Sequence, residues 1–592
     1  VDRINGNINQ PGYGRGSFNW SGQFTNIPNS GNGIAALGDF LITPGPSTVT
    51  GGIQNLGGVS GYGGSNYATV KDQRYYIGAY FQDDWKLTPK LTLNLGIRWD
   101  YTTPYEEVDG RQANFVPTGS GNGVGGTYYI PQKTCNSPRS PSFDALLVKD
   151  SITVACSPSS STGMSQYTNY APRLGFAYRF TPRLVVRGGY GIAYGAVGNI
   201  GFGGTLGTNY PFSFTIYSPS STSTLPTILP NGATATMENT FGVIDLTNPL
   251  VVNPANGIAL SGRQWYFQTP YTQTTNLTFQ YQLDKNDALS AGYVGAFGRH
   301  LDNTAAINLP SQIVPPGANE SDYVPDPDFA IGAGYNNSNA SSYYHALQVN
   351  FERQLSHGLS LLANYTLSEC YTDQFSNVSG SYAGYRAPWL PGFGIKGDYG
   401  LCPSDATHVF HLTGGYQLPV GRGSQFLSNA NTFTDLVLGG WAFNFILTDQ
   451  TGQPFTIGCP ISTTAFFGCN ANVVAGQSLY AGPHNQKQWL NPAAFATPPI
   501  ATADSATVAS LGGKPMQARG PGYVNLDASI FKNFRITEQI KLQFRAETFN
   551  LANHAQFGNP GNLDYTNASN FSEITSERGA PRLLQLALKL YY

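Results

Sequence analysis

The chain has 592 residues and a net charge of −2; only 11% of its residues are charged, while 70 are Gly and 36 are Tyr. Charge at less than half the level usual in soluble domains, with a mean hydropathy of only −0.22, excludes both an ordinary soluble surface and a uniformly greasy chain. No run approaches the roughly 20 consecutive apolar residues of a membrane-spanning helix, and the balanced charge gives no reason to expect nucleic acid or an anionic surface as a partner.

Any crossing of a membrane must therefore use strands that close their own hydrogen bonds. The opening at Val1, without a basic start or an apolar leader, reads as a fragment or a processed product. A first strand is expected near RGSFNWSGQF (15 to 24). The first clear pair is YYIGAYFQDDWKL (75 to 87) with LTLNLGIRW (91 to 99), where Leu91, Leu93, Leu95, Ile97 and Trp99 share one face and Thr92, Asn94, Gly96 and Arg98 the other. The same period of two returns in RLGFAYRF (173 to 180) and RLVVRGGYGIAY (183 to 194), in NLTFQYQL (276 to 283) and ALSAGYVGAF (288 to 297), and in HALQVNFERQL (345 to 355) and LSLLANYTL (359 to 367). It continues through VFHLTGGYQL (409 to 418), GWAFNFIL (440 to 447), VNLDASIF (524 to 531) and IKLQFRAETF (540 to 549). In the closing RLLQLALKLYY, Leu584, Leu586, Leu588, Leu590 and Tyr592 face one way and Gln585, Ala587, Lys589 and Tyr591 the other. One face suits hydrocarbon and the other water, which is the pattern of a last barrel strand and of a C-terminal signal to the barrel assembly machinery.

Connector lengths alternate. They are brief at 88 to 90, 181 to 182, 284 to 287 and 356 to 358, and long at 104 to 169, 196 to 265, 301 to 341 and 371 to 404, with one medium connector at 419 to 436. Short turns on one side and long loops on the other match outer-membrane barrels, whose turns face the periplasm and whose loops face outside. The expected fold is all-β, a transmembrane antiparallel outer-membrane β-barrel of about 14 strands with outer-membrane lipid as its solvent. On the water-facing rows, Arg98, Arg173, Arg179, Arg187, Gln280, Gln282, Glu352, Lys541, Arg545 and Glu547 are expected to line the lumen, where solvation is cheap. Trp85, Phe180 and Phe534 flank short turns and are expected at the periplasmic membrane boundary.

Cys135 and Cys156 lie in one long connector, Cys370 and Cys402 border a second, and Cys459 and Cys469 share a third. Local disulfides on an oxidising side are expected, as staples for loops without a core of their own. No metal, cofactor or catalytic residue is expected: the chain has no CxxC, GxSxG, HExxH or P-loop pattern. GSGNGVGG (119 to 126) reads as a flexible loop, and Asp83 with Asp84, and His408 with His411, point to opposite faces of their strands. Asp326 and Asp328 in VPDPDF offer too few oxygens for a calcium loop. The chemistry-free pattern reads as a non-enzyme.

YIGAYFQDDWKLTPKLTLNLGIRWDY (76 to 101) resembles the barrel signature of TonB-dependent receptors, in which a QD-x-W segment turns into an LTLNLG-R-x-D strand. SYYHALQVNFERQLSHGLSLLANYTLS (342 to 368), GGWAFNFILTDQTGQPFTI (439 to 457) and RGPGYVNLDASIFKNFRITEQIKLQFRAETFNLANHAQFGNP (519 to 560) are similar to the Oar-like branch. The resemblance implies a complete barrel of roughly 22 strands, an N-terminal plug that couples to the inner-membrane TonB system, and often a carboxypeptidase-regulatory-like domain before the plug. It makes residues 1 to 592 the C-terminal portion of such a barrel, without the plug or the leading domain, with open sheet edges that curl into a smaller barrel or leave a seam. The function expected is uptake of an unidentified ligand across the outer membrane; the alternative is a passive porin or an adhesin-like barrel.

Overall fold

The computed structural model describes residues 1–9, 16–20, 36–38, 61–66, 69–121, 123–195, 206–218, 257–310, 318–373, 395–458, 470–480, 484–498, 513–537 and 539–592, with a few isolated positions between. Seventeen strands join one sheet; three of them (Glu106–Glu107, Gly262–Arg263 and Gly400–Leu401) are two-residue pieces at loop ends, which leaves fourteen long strands among the described residues. In chain order these are β1 (Asp2–Asn9), β2 (Thr69–Thr88), β3 (Leu91–Thr102), β4 (Tyr170–Arg179), β5 (Leu184–Tyr194), β6 (Tyr271–Gln282) and β7 (Asp287–Ile307). Then come β8 (Ala333–Ser356), β9 (Leu359–Thr372), β10 (His408–Gln417), β11 (Trp441–Gln450), β12 (Tyr523–Arg535), β13 (Lys541–Phe549) and β14 (Leu583–Tyr591). Consecutive strands in this order pair antiparallel, from β1 with β2 through to β13 with β14. Nearest-neighbour antiparallel pairing is what short turns permit without crossovers.

The first strand is the one misplaced by the sequence pattern. Ser17–Asn19 lies in a separate three-stranded sheet with Gly61–Ser65 and Thr215–Ser218, where Phe18 and Trp20 pack against buried Tyr62, Leu229 and Ala235. The main sheet begins instead at β1, whose Asp2 pairs with Tyr76 and whose Asn9 pairs with Thr69. A second difference is length: β7 and β8 run on to Ile307 and back to Ala333, because their far ends pair with each other beyond a bulge near Leu301 and carry packed loops.

Register fixes the faces. Leu93 pairs with Trp85 and Phe176, Leu95 with Leu174, and Phe279 with Val186 and Ala291, so largely apolar rows, broken by Asp83 opposite Leu95, run from strand to strand on one side. Leu95, Leu174, Phe279, Tyr293 and Leu347 stand exposed on that side, an apolar surface that suits hydrocarbon and not water. Trp85, Phe180 and Phe534 lie at its turn-side rim, where Trp85 and Phe180 are exposed and Phe534 is half-buried. The turns are tight. His357 and Gly358 both take positive φ, 53° and 79°, the two-residue hairpin geometry whose twist matches the strands it joins. A Cβ at Gly358 would stand 2.7 Å from the Gln417 carbonyl oxygen, so glycine is required there for space as well as for φ.

The sheet leaves a seam. Among the described residues β14 pairs only with β13, and β2 pairs with β1 only over 69 to 76, so its lower half, 77 to 88, is bounded by β3 alone. Leu584, Leu586, Leu588 and Leu590 are correspondingly exposed.

The long loops have cores of their own, contrary to expectation. Phe115, Tyr128, Ile130, Phe143 and Leu147 from the first loop, Tyr210, Phe214 and Leu260 from the second, and Ile307, Phe329 and Tyr335 at the third form one buried cluster. Ile457, Leu490, Phe495, Tyr565 and Phe571 form another between later loops. Helix α1 (Pro141–Lys149) contributes Phe143 and Leu147 to the first; its N-cap Ser140 accepts a bond from the Phe143 N–H at 3.1 Å. Cys135 is bonded to Cys156 across this loop, and Cys370 to Cys402 at the mouth of the later one; Cys459 and Cys469 lie outside the described residues. Gly125 and Gly126 do not form a flexible tip: the Gly125 N–H donates to Asp326 Oδ1 at 2.8 Å, and Gly126 starts the strand Gly126–Pro131.

A charge on the apolar row is expected to cost about 2–4 kcal/mol near the bilayer midplane, and one on the inner row next to nothing. Phe279→Arg should therefore destabilise the chain by that amount and Gln280→Arg by less than about 1 kcal/mol, read from reversible denaturant unfolding in lipid vesicles. A second expectation concerns the loops. Arg519 pairs with the buried carboxylate of Asp405 and donates to the Gly452 carbonyl at 3.1 Å, while Asp405 Oδ1 accepts from the Cys370 N–H at 2.7 Å. Arg519→Ala strands that carboxylate and should cost about 3–5 kcal/mol of local stability, visible as faster hydrogen exchange at 400 to 407 and 452 to 457.

Candidate functional site

The face opposite the apolar rows carries the polar side chains. Arg98 and Arg173 lie on neighbouring strands, Arg187 pairs with Thr278, Gln280 with Val185 and Ser290, and Glu352 with Ala288, all on this inner side. Lys541, Arg545 and Glu547 pair with Tyr591, Ala587 and Gln585, opposite the outward leucines of β14.

These residues gather into separate groups. Arg187, Gln280, Gln282 and Glu352 line one cavity of about 330 Å³ near the turn side, together with Arg183, Lys285 and Gln354. Four of the ten residues read from the sequence thus meet at one place. Arg545 bonds Gln543 at 2.5 Å and pairs with Glu547 at 3.4 Å, a second and distinct group. Arg179 turns away to the Pro89 carbonyl at 2.9 Å and joins neither.

Arg98 belongs to a third group at the loop end, which holds partners the sequence pattern did not single out. Its Nε donates to Asp100 Oδ1 at 2.8 Å, its Nη2 donates to the Tyr76 hydroxyl at 2.5 Å, and the Tyr76 hydroxyl also donates to Asp100. The Cα ladder makes this triangle: Gly78 pairs with Asp100 and Tyr80 with Arg98, so Tyr76 reaches past Gly78, where no Cβ intervenes. A cavity of about 300 Å³ opens here between Arg74, Tyr76, Asp100, Asn169 and Thr269. The signal was present in the motif, since Arg98 and Asp100 are two residues apart and share a strand face.

Above this the β2 extension buries a carboxylate pair that no local pattern reveals. Roughly 9–11 residues of a tilted strand cross a membrane, and counting from the turn at Thr88 places 69 to 76 beyond it. Asp72 pairs with Glu107 of the short strand Glu106–Glu107 and is 2% exposed. Glu107 accepts from the Lys71, Asp109 and Arg111 N–H groups at 3.1, 2.9 and 2.7 Å, whereas neither Asp72 oxygen finds a hydrogen bond among the described residues. Burial first, and the Glu107 carboxylate second, push the Asp72 carboxyl up to about 7.

The remaining candidates are occupied internally. Asp326 is spent on Gly125, with burial pushing its carboxyl up to about 6, and Asp328 pairs with Lys149 at 2.8 Å. The His408 ring meets the Tyr365 hydroxyl at 2.8 Å on the outer face and the His411 ring meets Thr448 Oγ1 at 3.1 Å on the inner one. Asp84 accepts from Asn94 at 2.5 Å on the inner face, away from Asp83. Among the described residues no three His, Cys, Asp or Glu side chains are arranged to hold a metal ion.

A fourteen-strand antiparallel sheet with an apolar outer face, a polar inner face and loops and turns segregated to opposite ends defines a transmembrane barrel. The family model for the outer membrane beta barrel domain matches residues 1–585, and the chain belongs to that family, which places it in the bacterial outer membrane. No curated protein matches it. Among solved structures it is similar to the ferric-catecholate import receptor Fiu of Escherichia coli K12, at 12% identity over 88% of this chain and 45% of that one, with a TM-score of 0.35. It is similar also to the outer membrane transporter YddB of Escherichia coli (10% identity, 92% and 52% coverage, TM-score 0.39) and to the siderophore receptor PirA of Acinetobacter baumannii (11%, 100% and 54%, TM-score 0.37). The chain spans about half the length of these proteins.

The Asp72 pair sets a pH dependence. An unfolded Asp releases its proton near 3.9, so between about 4 and 7 the folded chain holds a proton that the unfolded chain has lost, and stability falls as pH rises. The attachment of the first loop to β2 is therefore expected to be weaker by roughly 2–4 kcal/mol at pH 8 than at pH 4. Asp72→Asn should remove this dependence and slow exchange of the 106 to 111 amides at pH 8; unchanged pH dependence in the variant would exclude Asp72 as its source.

Proposed function

We propose that this barrel is the C-terminal part of a TonB-dependent transporter that takes up a small, polar, scarce ligand, with the plug and the remaining strands supplied by chain preceding Val1. The observation that carries the reading is the polar inner row beneath loops that share a hydrophobic core. Loops held rigid by Phe115, Tyr128, Phe143 and Tyr210 suit capture at a preshaped surface. The Arg98, Asp100 and Tyr76 group lies on the inner face near the loop end, and the Arg187, Gln280 and Glu352 cavity lies near the turns. A ligand moving inward meets exchangeable hydrogen-bonding partners of both charge signs. The QD-x-W and LTLNLG-R-x-D segments, which make up the β2–β3 hairpin, support the same reading.

The test is to delete the reading frame in the source bacterium and follow depletion of solutes from the growth medium by mass spectrometry, with and without a protonophore. Energised transport requires at least one solute whose uptake is lost on deletion and stops in the parent when the proton gradient is collapsed. A solute whose uptake survives the protonophore identifies a passive pore, and lost attachment to surfaces without any lost uptake identifies an adhesin.

A further inference from the structure

The medium connector on the turn side does not behave like the other turns. It runs from Gln417 to Trp441 and contains helix α2 (Thr432–Leu438), capped by Asn431, whose side chain accepts from the Thr434 N–H at 2.8 Å. Phe433, Leu436 and Val437 fall at i, i+3 and i+4, one face of a helix, and with Leu438 they are 48–74% exposed. Phe426 and Leu427 of the same connector are exposed too. The helix's own acid is turned away from this face: Asp435 Oδ1 accepts from the Arg422 N–H at 2.6 Å, and the Arg422 guanidinium reaches Thr432 Oγ1 and the Ala430 carbonyl, both at 3.2 Å.

The position of the helix is set by two side chains on the outer, hydrocarbon-facing side of the sheet. Trp441 pairs with Lys532 and stands in one row with Phe443 and Phe445; Lys532 stands in one row with Ile530 and Ala528. The Trp441 indole N–H donates to the Val437 carbonyl at 2.9 Å, and Lys532 Nζ donates to the same carbonyl at 3.2 Å and to the Gly439 carbonyl. Lys532 is buried, with Nζ 5.3 Å from the ring centres of both Trp441 and Phe534. Two outward-facing residues thus hold the last carbonyls of α2, which brings its C-terminal end over the outer face of the barrel at the periplasmic rim. A lysine on that face would be costly in hydrocarbon, and the open carbonyls of a helix end satisfy its ammonium.

We propose that α2 is an in-plane anchor whose Phe433, Leu436, Val437 and Leu438 insert among the acyl chains of the periplasmic phospholipid leaflet. Hydrocarbon is the occupant because this apolar face continues the lipid-facing band of Trp441, Phe443, Phe534 and Phe544 at the same level of the barrel, and because it carries no charge for an aqueous protein partner to read. The anchor adds apolar surface outside the cylinder of strands and fixes the depth at which β10 to β12 sit. This inference rests on the barrel and its sidedness and is independent of any ligand.

The test places the photoreactive amino acid p-benzoylphenylalanine at Phe433, at Leu436 or at Phe426, and as an aqueous control at Lys487 in a loop on the opposite side. Each protein is folded into phosphatidylethanolamine and phosphatidylglycerol vesicles, shown to be folded by heat-modifiable gel migration, irradiated, and weighed intact. Phospholipid adducts at 433 and 436 in at least about tenfold excess over 487 are expected for a helix lying in the interface. Adducts at the level of the control, or cross-links from 433 and 436 to a second copy of the chain in place of lipid, would overturn it. Position 426 gives the same reading should either helix substitution prevent folding.

Discussion

In hydrocarbon, a backbone N–H without a partner has no water to turn to, and the order and the two-faced alternation of the strands follow from that demand. It makes the strands pair one after another in chain order, because only nearest-neighbour hairpins give each strand two neighbours without a crossover. It forces alternation, since one face of each strand meets lipid and the other the interior. It also explains how a chain with so few charges remains polar in average hydropathy: Thr, Asn, Gln, Gly and Tyr satisfy an inner wall without large fields.

Most of the sheet was legible in the sequence because alternation is a local signal. Leu91 to Trp99 and Leu584 to Tyr592 announce both their faces within a few residues, and the length of each connector assigns its side. The first strand was not legible: DRINGNIN has only two apolar residues, four apart, whereas RGSFNWSGQF has Phe and Trp spaced like a strand. Those aromatics serve a small loop sheet, and pairing with 69 to 76, a tertiary contact, decides that β1 joins the barrel. The far ends of β7 and β8 escaped for a related reason, since they fall in the connector read as 301 to 341, and Asn337 and Ser338 are buried there only by tertiary packing.

The candidate site divides along the same line. Parity alone predicts that the ten polar residues share the strand face opposite the leucine rows. Which of them meet could not be read, because the cavity at Arg187 and Glu352 joins residues 165 positions apart in sequence through the order of intervening strands. Asp72 and Glu107, and Asp405 and Arg519, are likewise partners only in three dimensions. The loops were misjudged most. Their apolar residues are scattered, without period, over three connectors and form a core only when these converge.

That shared core changes what a loop is in this protein. Phe143 touches Tyr128 from its own loop, Tyr210 from the next and Phe329 from the one after, with ring centres 6.0, 4.6 and 5.9 Å apart. Three segments that interleave in this way can neither open nor be exchanged singly. A molecule that settles on one of them is felt by the other two, and a substitution that reshapes one tip has to be tolerated by its neighbours. The first three loops therefore form one packed body at the rim of the barrel, and not a fringe of independent fingers.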